Sequence, residues 1–269
     1  MPPLVTKFEI ESNLENLGLA TGDLVLCHTS LSSLGWVVGG AVTLVDALIN
    51  VVNAKGDPEQ GGTIIMPTHS GDYSNPKYWS NPPVPQHWIE IIQKEMPPYR
   101  AEITPVKKTI GTVPECFRKY PGAFRSSHPV RSFCALGRQA EAVVKMNSYD
   151  HPHGRDSPLD FVYSNGGKIL NIGVKNNTCF PFSEHLTSIH HEEIVEQSPI
   201  YRDGQRELIK WKQLDYNYTP DDRDLVHDRL IDDLAYANVG TVGQADSVIF
   251  DAYQYVEYAT QFLETKYNE

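Results

Sequence analysis

The fold is decided by the segments DLVLCH at 23–28, VTLVDALINVV at 42–52 and TIIM at 63–66, the last of which stops at Pro67. The two outer segments are short and largely apolar, which is typical of buried strands. The middle segment repeats its apolar residues at the three- and four-residue spacing of a helix. A strand, a helix and a strand in this order predict a βαβ unit with a right-handed crossover.

Further elements extend this unit in both directions. The predicted elements are a helix at 7–19, a helix near 88–95, a helix at 112–119, strands at 133–136 and 168–174, a helix from His185 to about Gln197 and a closing helix at 248–266. Residues 71–109 are rich in Pro, Asn and Tyr and are predicted to form a long irregular excursion, which is uncommon in a loop without a function. The pattern indicates an α/β protein, a single compact domain over 1–269 with a mixed central sheet flanked by helices.

The composition excludes several classes of protein. A net charge of -11 supplies no basic face for nucleic acid, and no run approaches the roughly 20 apolar residues of a membrane-spanning helix. The N-terminal residues lack the pattern of a secretory signal. The four cysteines form no C-x-x-C pair, and the ten histidines have no metal-ligand spacing, which disfavours a metallohydrolase. We therefore expect a cytoplasmic protein without a nucleic-acid partner, a membrane partner or a metal.

A glycine-bearing loop joins the first strand to the helix at 42–52. Free N–H groups and the dipole at a helix start attract an anion, and paired glycines let a ligand approach the backbone. The loop is neither G-x-G-x-x-G nor a Walker P-loop, so NAD or ATP does not follow, and a plain turn is the alternative. The candidate anion-binding residues are His28, Thr29, Ser30, Leu31, Gly35, Gly39 and Gly40.

A second polar cluster is the segment 126–132, where Pro129 fixes an extended backbone beside hydroxyls, an imidazole and a guanidinium. Such groups bind phosphate or a carbonyl, although surface loops often share this composition. The candidate binding residues are Ser126, Ser127, His128 and Ser132.

A third cluster, at 187–193, is predicted to be the first turn of a helix. Residues three apart share a helix face, so His190 and Glu193 can meet, and a histidine oriented by a carboxylate is the usual general base. A solvated first turn is the alternative. The competing candidates for the base are His185, His191 and Glu192.

An acidic stretch follows, and its field would attract a polyamine, although a solvated helix face is the commoner explanation. It consists of Asp215, Asp221, Asp222, Asp224, Asp228, Asp232 and Asp233.

Taken in order, these clusters resemble the aminoglycoside 3-N-acetyltransferase family over nearly the whole chain. The matching motifs are His28-Thr29-Ser30-Leu31, Gly39-Gly40-Ala41, Gly62-Thr63 through Met66-Pro67-Thr68, Arg125-Ser126-Ser127-His128-Pro129, Asp156-Ser157-Pro158-Leu159, Gly173-Val174, Thr187-Ser188-Ile189-His190 and Gly240-Thr241-Val242-Gly243-Gln244-Ala245. Each motif alone is weak, whereas the series is specific.

The resemblance implies an antibiotic N-acetyltransferase-like fold and direct transfer of an acetyl group from acetyl-CoA, as co-substrate, to the 3-amino group of an aminoglycoside. It implies that the glycine-rich loop and the segment 126–132 hold coenzyme A, that His190 is the general base and that Glu193 orients it. The expected partner is a small, polycationic amine, and a homodimer is left open. The expected substrate-binding residues are Thr68, His69, Asp72, Glu192 and Asp215.

The chain departs from the family after Gly173-Val174. The family places a T-S-x-H stretch a few residues later, whereas here twelve residues separate Val174 from Thr187. Either a loop is inserted near 175–186, or the stretch begins at Thr178 and His185 is the base; the predicted helix start favours His190. An insertion there would reshape the substrate mouth.

Two other functions are compatible with these residues. One is an N-acetyltransferase of the same fold that acts on another amino sugar or a nucleotide amino sugar. The other is a non-catalytic protein that binds coenzyme A. Cys179, close to the third cluster, would suit a ping-pong route, although a buried bystander thiol is the simpler explanation.

Overall fold

The computed structural model describes residues 2–80, 82–232 and 236–267. The strands are β1 Leu4–Val5, β2 Leu24–Thr29, β3 Trp36–Val37, β4 Thr63–Pro67, β5 Phe124–Arg125, β6 Phe133–Gly137, β7 Lys168–Ile172, β8 Glu193–Arg202, β9 Gln205–Leu214, β10 Ala237–Val242 and β11 Ala245–Asp251. The α-helices are α1 Lys7–Asn16, α2 Ala41–Val52, α3 Ile89–Glu95, α4 Thr112–Phe117, α5 Ala140–Lys145, α6 Pro158–Ser164, α7 Cys179–Glu184, α8 Pro220–Asp232 and α9 Ala252–Tyr267. Short 3-10 helices cover Leu31–Ser33, Gly71–Tyr73, Pro76–Tyr78 and Gln86–Trp88.

Seven strands form a mixed central sheet in the order β10-β11-β7-β2-β4-β6-β5. Strand β2 pairs in parallel with β4 on one side and with β7 on the other, whereas the outer strands are antiparallel. The predicted βαβ unit is present as β2, α2 and β4, and the α/β class with a mixed sheet is confirmed. Because β7, β2 and β4 are parallel, their carboxyl ends lie at the same edge of the sheet.

Helices cover both faces of this sheet. Val25 and Cys27 of β2 pack into a core shared with α1 and α2, whereas Leu24 and Leu26 pack into a second core with residues of α6 to α9. Successive side chains of a strand point to opposite faces. A strand that is buried on both faces is therefore apolar at every position, which is the pattern that predicted β2 from the sequence.

The predicted helix from His185 to Gln197 is wrong. Helix α7 ends at Glu184, and the chain from Glu193 onward belongs to the antiparallel β8–β9 hairpin. The hairpin lies outside the central sheet, and a small apolar cluster built around Trp211 packs it against Val130, Tyr73 and Tyr149. Polar residues dominate 187–193, and no apolar face exists there that a helix could bury.

The start of the closing helix also differs from the prediction. The closing helix begins at Ala252 rather than near Val248, because residues 245–251 form β11 between β10 and β7. The excursion 71–109 contains α3 and the 3-10 helices that start at Gly71, Pro76 and Gln86. The segment near 175–186, predicted as an insertion, contains α7.

Candidate active site

The carboxyl ends of β2, β4 and β7 open into a cavity of about 890 Å³. His28 and Thr29 line it from β2, His69 from just beyond β4, and Val174 and Asn177 from the chain that follows β7. Ligands of α/β proteins bind beyond the carboxyl ends of parallel strands, and this volume lies within the range of roughly 300–1,000 Å³ for small-molecule sites. The cavity is therefore the candidate active site.

The cavity is cationic. Lys108, Arg131 and Arg223 line it, and no aspartate or glutamate does within the part of the chain that the structure describes. Gly40, the residue before the first turn of α2, lines it as well. The positive end of the helix dipole and three side-chain cations together attract a strongly anionic ligand.

The glycine loop before α2 leaves backbone open to this cavity. Gly40 has a φ of +63°, and a Cβ built there would meet no atom within 4 Å. Gly35 has a φ of +100° and lies close to the Pro3 carbonyl. Of the residues predicted from this loop, His28, Thr29, Ser30, Leu31, Gly35 and Gly40 line the cavity, whereas Gly39 does not.

Polar atoms without a protein partner concentrate at this site. Buried polar atoms in folded proteins nearly always have a hydrogen-bond partner, so an unpartnered group points to a ligand or water. The cavity-lining side chains with such an atom are His28 (Nδ1), Thr29 (Oγ1), His69 (Nε2), Arg131 (Nε), His153 (Nε2), Asn177 (Nδ2) and Arg223 (Nε). Their grouping around one cavity indicates a site built for a polar ligand.

His28 is held as a neutral donor. Its Nε2 accepts the backbone N–H of Thr178 at 3.0 Å, so the ring proton must reside on Nδ1. Burial lowers the pKa of His28 to about 3. The Nδ1–H has no acceptor among the residues that the structure describes and is available to a bound ligand.

His153 combines a free ring nitrogen with an anchored one. Its Nδ1 lies 3.3 Å from the hydroxyl of Tyr216, and its Nε2 has no hydrogen-bond partner within the described part of the chain. Its ring centroid is 5.4 Å from that of His69. Burial, followed by the charge of Arg131, holds the pKa of both imidazoles well below the usual value. A neutral imidazole with one oriented nitrogen and one free nitrogen has the form of a general base.

The segment 126–132 lies next to the cavity and holds the turn from which Arg131 reaches it. His128 Nδ1 accepts the backbone N–H groups of Val130 and Arg131 at 3.1 and 2.9 Å, and its Nε2 donates to the Tyr149 carbonyl at 3.1 Å. Two backbone N–H groups are thereby pinned in the turn that carries Arg131 to the cavity. The role of this segment in the structure is to position Arg131.

The predicted ligand contacts of this segment are accordingly corrected. Ser126 and Ser132 are buried and bond to protein atoms: Ser126 accepts the Phe133 N–H at 2.9 Å, and Ser132 donates to the Thr68 carbonyl at 2.7 Å. Ser127 is exposed. None of these serines, nor His128, lines the cavity.

His190 lies outside the cavity, with 90% of its side chain exposed. The predicted pair with Glu193 is not formed, because Glu193 begins β8 instead of sharing a helix face with His190. Glu193 contacts His151 at 3.0 Å and Lys212 at 2.6 Å. The assignment of His190 as base and Glu193 as its partner is corrected on this geometry.

Among the predicted substrate-binding residues, His69 lines the cavity and the others do not. Thr68 is buried, Asp72 contacts Lys107 at 3.6 Å, Glu192 has 87% of its side chain exposed, and Asp215 is exposed.

Two aspartates of the acidic stretch form contacts within the fold. Asp222 accepts the Thr219 N–H at 2.8 Å at the start of α8 and pairs with Lys266, and Asp228 pairs with Lys175 at 2.8 Å. Asp233 lies outside the described residues.

Several site residues were missed from the sequence. Lys108, His153 and Arg223 come from three separate segments, and Arg131 is the guanidinium of the second polar cluster. The signal that could have found His153 is its position in HPHG at 151–154, one residue before the DSPL motif at 156–159.

Beside the site, Glu184 is a buried carboxyl with an unusual pKa. Its Oε1 accepts the Asn217 N–H at 2.6 Å and lies 3.3 Å from His191 Nδ1, whereas its Oε2 has no partner among the described residues. Burial raises the pKa of Glu184 from 4.5 to about 7, against the lowering effect of the Asn217 N–H.

We expect Glu184→Gln to change the pH dependence of stability. Folding raises the pKa of Glu184 above its usual value of 4.5, so the protonated carboxyl contributes to the free energy of unfolding. This contribution is complete below about pH 4.5 and is lost as the pH rises through about 7. The variant lacks this loss, so its melting temperature rises relative to the wild type from pH 5 to pH 8. The exposed Glu207→Gln is the control, and a Glu184→Gln difference that is constant over this range would contradict the assignment.

Within the described ranges, no helix is long and apolar enough to cross a membrane. No group of three or more His, Cys, Asp or Glu side chains there is placed to hold a metal ion.

The fold and the cavity define the class: an α/β protein that binds an anionic small molecule at the carboxyl edge of its sheet. A sequence profile described as aminoglycoside 3-N-acetyltransferase matches residues 26–264. The chain belongs to the aminoglycoside 3-N-acetyltransferase family.

Individual relatives agree along nearly the full length. The SPbeta prophage-derived aminoglycoside N(3')-acetyltransferase-like protein YokD of Bacillus subtilis is 35% identical over 268 residues, which cover 96% of this chain and 92% of that protein. Its solved structure superposes with a TM-score of 0.90 at 34% identity, covering 99% of this chain and 96% of that one. Aminoglycoside N(3)-acetyltransferase IX of Micromonospora chalcea is 31% identical, covering 97% and 94%. The solved structure of AAC-VIa bound to sisomicin superposes with a TM-score of 0.86 at 26% identity, covering 99% and 100%.

Proposed function

We propose that this chain transfers the acetyl group of acetyl-CoA to an amino group, at the 3-N position by family resemblance, of an aminoglycoside. The observation that carries this proposal is the cationic cavity, whose described lining has no carboxylate and into which the N-terminus of α2 opens. Coenzyme A is a strongly anionic molecule, and cations together with a helix N-terminus are the usual partners of its phosphates. Family membership supplies the reaction.

The residues of the cavity divide the chemistry between them. Arg131, Lys108 and Arg223 hold the phosphates of the co-substrate, and His153 Nε2 removes a proton from the attacking amine. An ammonium has no lone pair with which to attack a thioester, so this deprotonation is required before transfer. The donor His28 Nδ1–H, which has no partner among the described residues, is available for the oxyanion of the tetrahedral intermediate.

Direct transfer is favoured over an acyl-enzyme. Cys179 is fully buried in the core and does not line the cavity. Burial raises the pKa of its thiol above the usual value, and a thiol that cannot ionise is a poor nucleophile.

An aminoglycoside is the proposed acceptor. Two observations support this choice: the family to which the chain belongs, and the solved relative that is bound to sisomicin. The segment after β7 would shape the acceptor mouth, since Asn176, Thr178 and Pro181 line the cavity. The absence of carboxylates from the described lining favours, as a second candidate, an amino sugar that itself carries phosphate.

The test is acetyl-CoA turnover with a panel of aminoglycosides, simple amino sugars and nucleotide amino sugars. Acetylation of the aminoglycosides supports the first proposal, preference for a phosphorylated amino sugar supports the second, and no turnover with any acceptor contradicts both.

Arg131→Gln is expected to weaken coenzyme A binding. A hydrogen bond to a charged group contributes about 1.5–3 kcal/mol, so the dissociation constant rises by about 10-fold or more. Isothermal titration of coenzyme A into the variant and into the wild type measures this change in the dissociation constant. The exposed Arg202→Gln, which removes a pair with Glu207 on the hairpin, is the matched control and leaves binding unchanged. Equal affinity of Arg131→Gln and wild type would contradict the placement of the phosphates.

The same proposal extends to location and assembly. Four free cysteines fit a reducing cytoplasm.

A homodimer is proposed on the exposed apolar residues Leu4, Phe8 and Trp36 near the N-terminus. Light scattering of the purified protein tests whether this dimer forms.

A further inference from the structure

Acetylation of an ammonium releases a proton that must leave a filled cavity. The nitrogen loses two protons in becoming an amide, and the departing thiolate takes one of them. The other must reach solvent while the co-substrate and the acceptor occupy the mouth of the cavity. This inference rests on the proposed function, because it concerns the proton that the reaction produces.

A continuous polar path leads away from the cavity behind His153. The Tyr216 hydroxyl lies 3.3 Å from His153 Nδ1 and 3.3 Å from His185 Nε2, so it bridges the two imidazoles. His153 lines the cavity, whereas His185 does not. The hydroxyl therefore connects a ring inside the site with one outside it.

Beyond His185 the path has no further hydrogen bond among the described residues, but a partly exposed imidazole lies in ring contact with His185. The ring of His151 lies 5.6 Å from that of His185, and His151 Nε2 contacts Glu193 at 3.0 Å. The Glu193 side chain is 37% exposed and also pairs with Lys212. A proton that arrives at His185 is thus next to a surface imidazole–carboxylate pair.

The number of protons on the Tyr216 hydroxyl and on each imidazole determines which group donates and which accepts along this path. The Tyr216 hydroxyl has one proton and can donate to only one imidazole, so the other must donate to it. If His153 Nε2 is to accept a proton from substrate, its own proton resides on Nδ1 and is donated to Tyr216. Tyr216 then donates to His185 Nε2.

We propose that His153, Tyr216 and His185 form a proton relay that carries the proton taken from the amine to the surface near His151 and Glu193. When His153 Nε2 gains the substrate proton, its Nδ1 proton passes to the Tyr216 oxygen, and the Tyr216 proton passes to His185 Nε2. Every atom keeps its valence, and one proton has moved from the cavity to His185. Tyr216 and His185 act through His153 and are positioning residues rather than catalytic ones.

The first measurement is the tautomer of His153, which needs no turnover. Long-range ¹H–¹⁵N correlation spectra distinguish Nδ1–H from Nε2–H imidazoles, and His153→Gln identifies the signal. The relay requires the Nδ1–H form in the wild type, and loss of that preference in Tyr216→Phe. An Nε2–H form in the wild type would overturn the relay, whatever the activity.

The second measurement is turnover. Tyr216→Phe removes one oxygen atom, so we expect kcat to fall by about 10- to 100-fold with an unchanged KM for acetyl-CoA and an altered solvent isotope effect. His185→Gln should lower kcat similarly, and the double variant should be no slower than either single one. Tyr163→Phe, which loses a hydroxyl bonded to Glu257 away from the cavity, is the control.

An unchanged kcat in Tyr216→Phe would overturn the relay. Absence of acetylation by the wild type would contradict the proposed function instead, and the tautomer measurement would still decide whether the relay exists.

Discussion

His153→Gln lowers the turnover number by about 10²- to 10⁴-fold and leaves the affinity for coenzyme A within a few-fold of wild type. General acid–base catalysis contributes on this scale, and glutamine keeps a polar side chain of similar length without a basic ring nitrogen. His153 is 5% exposed, lines the cavity and has a free Nε2. Steady-state kinetics with an aminoglycoside acceptor, together with titration of coenzyme A, separate turnover from binding.

His190→Gln is the matched control, since it makes the same chemical change on a side chain that is 90% exposed. Its turnover stays at the wild-type value. A large loss in His190→Gln with an active His153→Gln would reverse the assignment of the base.

Trp211→Ala destabilises the protein by about 3–5 kcal/mol, the cost of removing a large buried aromatic side chain. Trp211 is 1% exposed, its Nε1 donates to Ser198 at 3.0 Å, and its ring lies 4.7 Å from that of His128 in an edge-to-face arrangement. His128 pins the turn that carries Arg131. The same variant is therefore expected to weaken coenzyme A binding as well.

Urea unfolding and coenzyme A titration of Trp211→Ala measure the two effects. Trp88→Ala is the control, because this tryptophan is 50% exposed and surface substitutions usually change stability by about 0.5 kcal/mol or less. Equal stability losses in the two variants would show that the hairpin is not anchored through Trp211.

The βαβ unit could be predicted because its signals are local. Every residue of Leu24–Cys27 is buried, and α2 repeats its apolar residues along one face, so pattern and burial coincide. The β8–β9 hairpin also has a local signal, because Asp203-Gly204 forms its two-residue turn and both residues have a positive φ. The place where the hairpin packs could not be predicted, because Trp211 contacts His128 and Val130, which are distant in sequence.

The same difference between local and distant signals applies to the residues of the active site. The loop from His28 to Gly40 was predicted because strand end, glycines and helix start follow one another in sequence. Lys108, His153 and Arg223 reach the cavity from separate segments. No local pattern marks Lys108 or Arg223, whereas His153 lies in the HPHG stretch close to the DSPL motif. The sequence favours His190 only through a predicted helix at Thr187, and the structure has no helix there because the chain enters the β8–β9 hairpin at Glu193.

The central claim is that the cavity at the ends of β2, β4 and β7 holds acetyl-CoA with its reacting group beside His153. A crystal structure with bound coenzyme A tests it most directly. We expect the phosphates to contact Arg131 and the N-terminus of α2, and the thiol to lie close enough to His153 Nε2 for an amine to fit between them. Coenzyme A bound elsewhere, or a thiol on the far side of the cavity from His153, would contradict the claim.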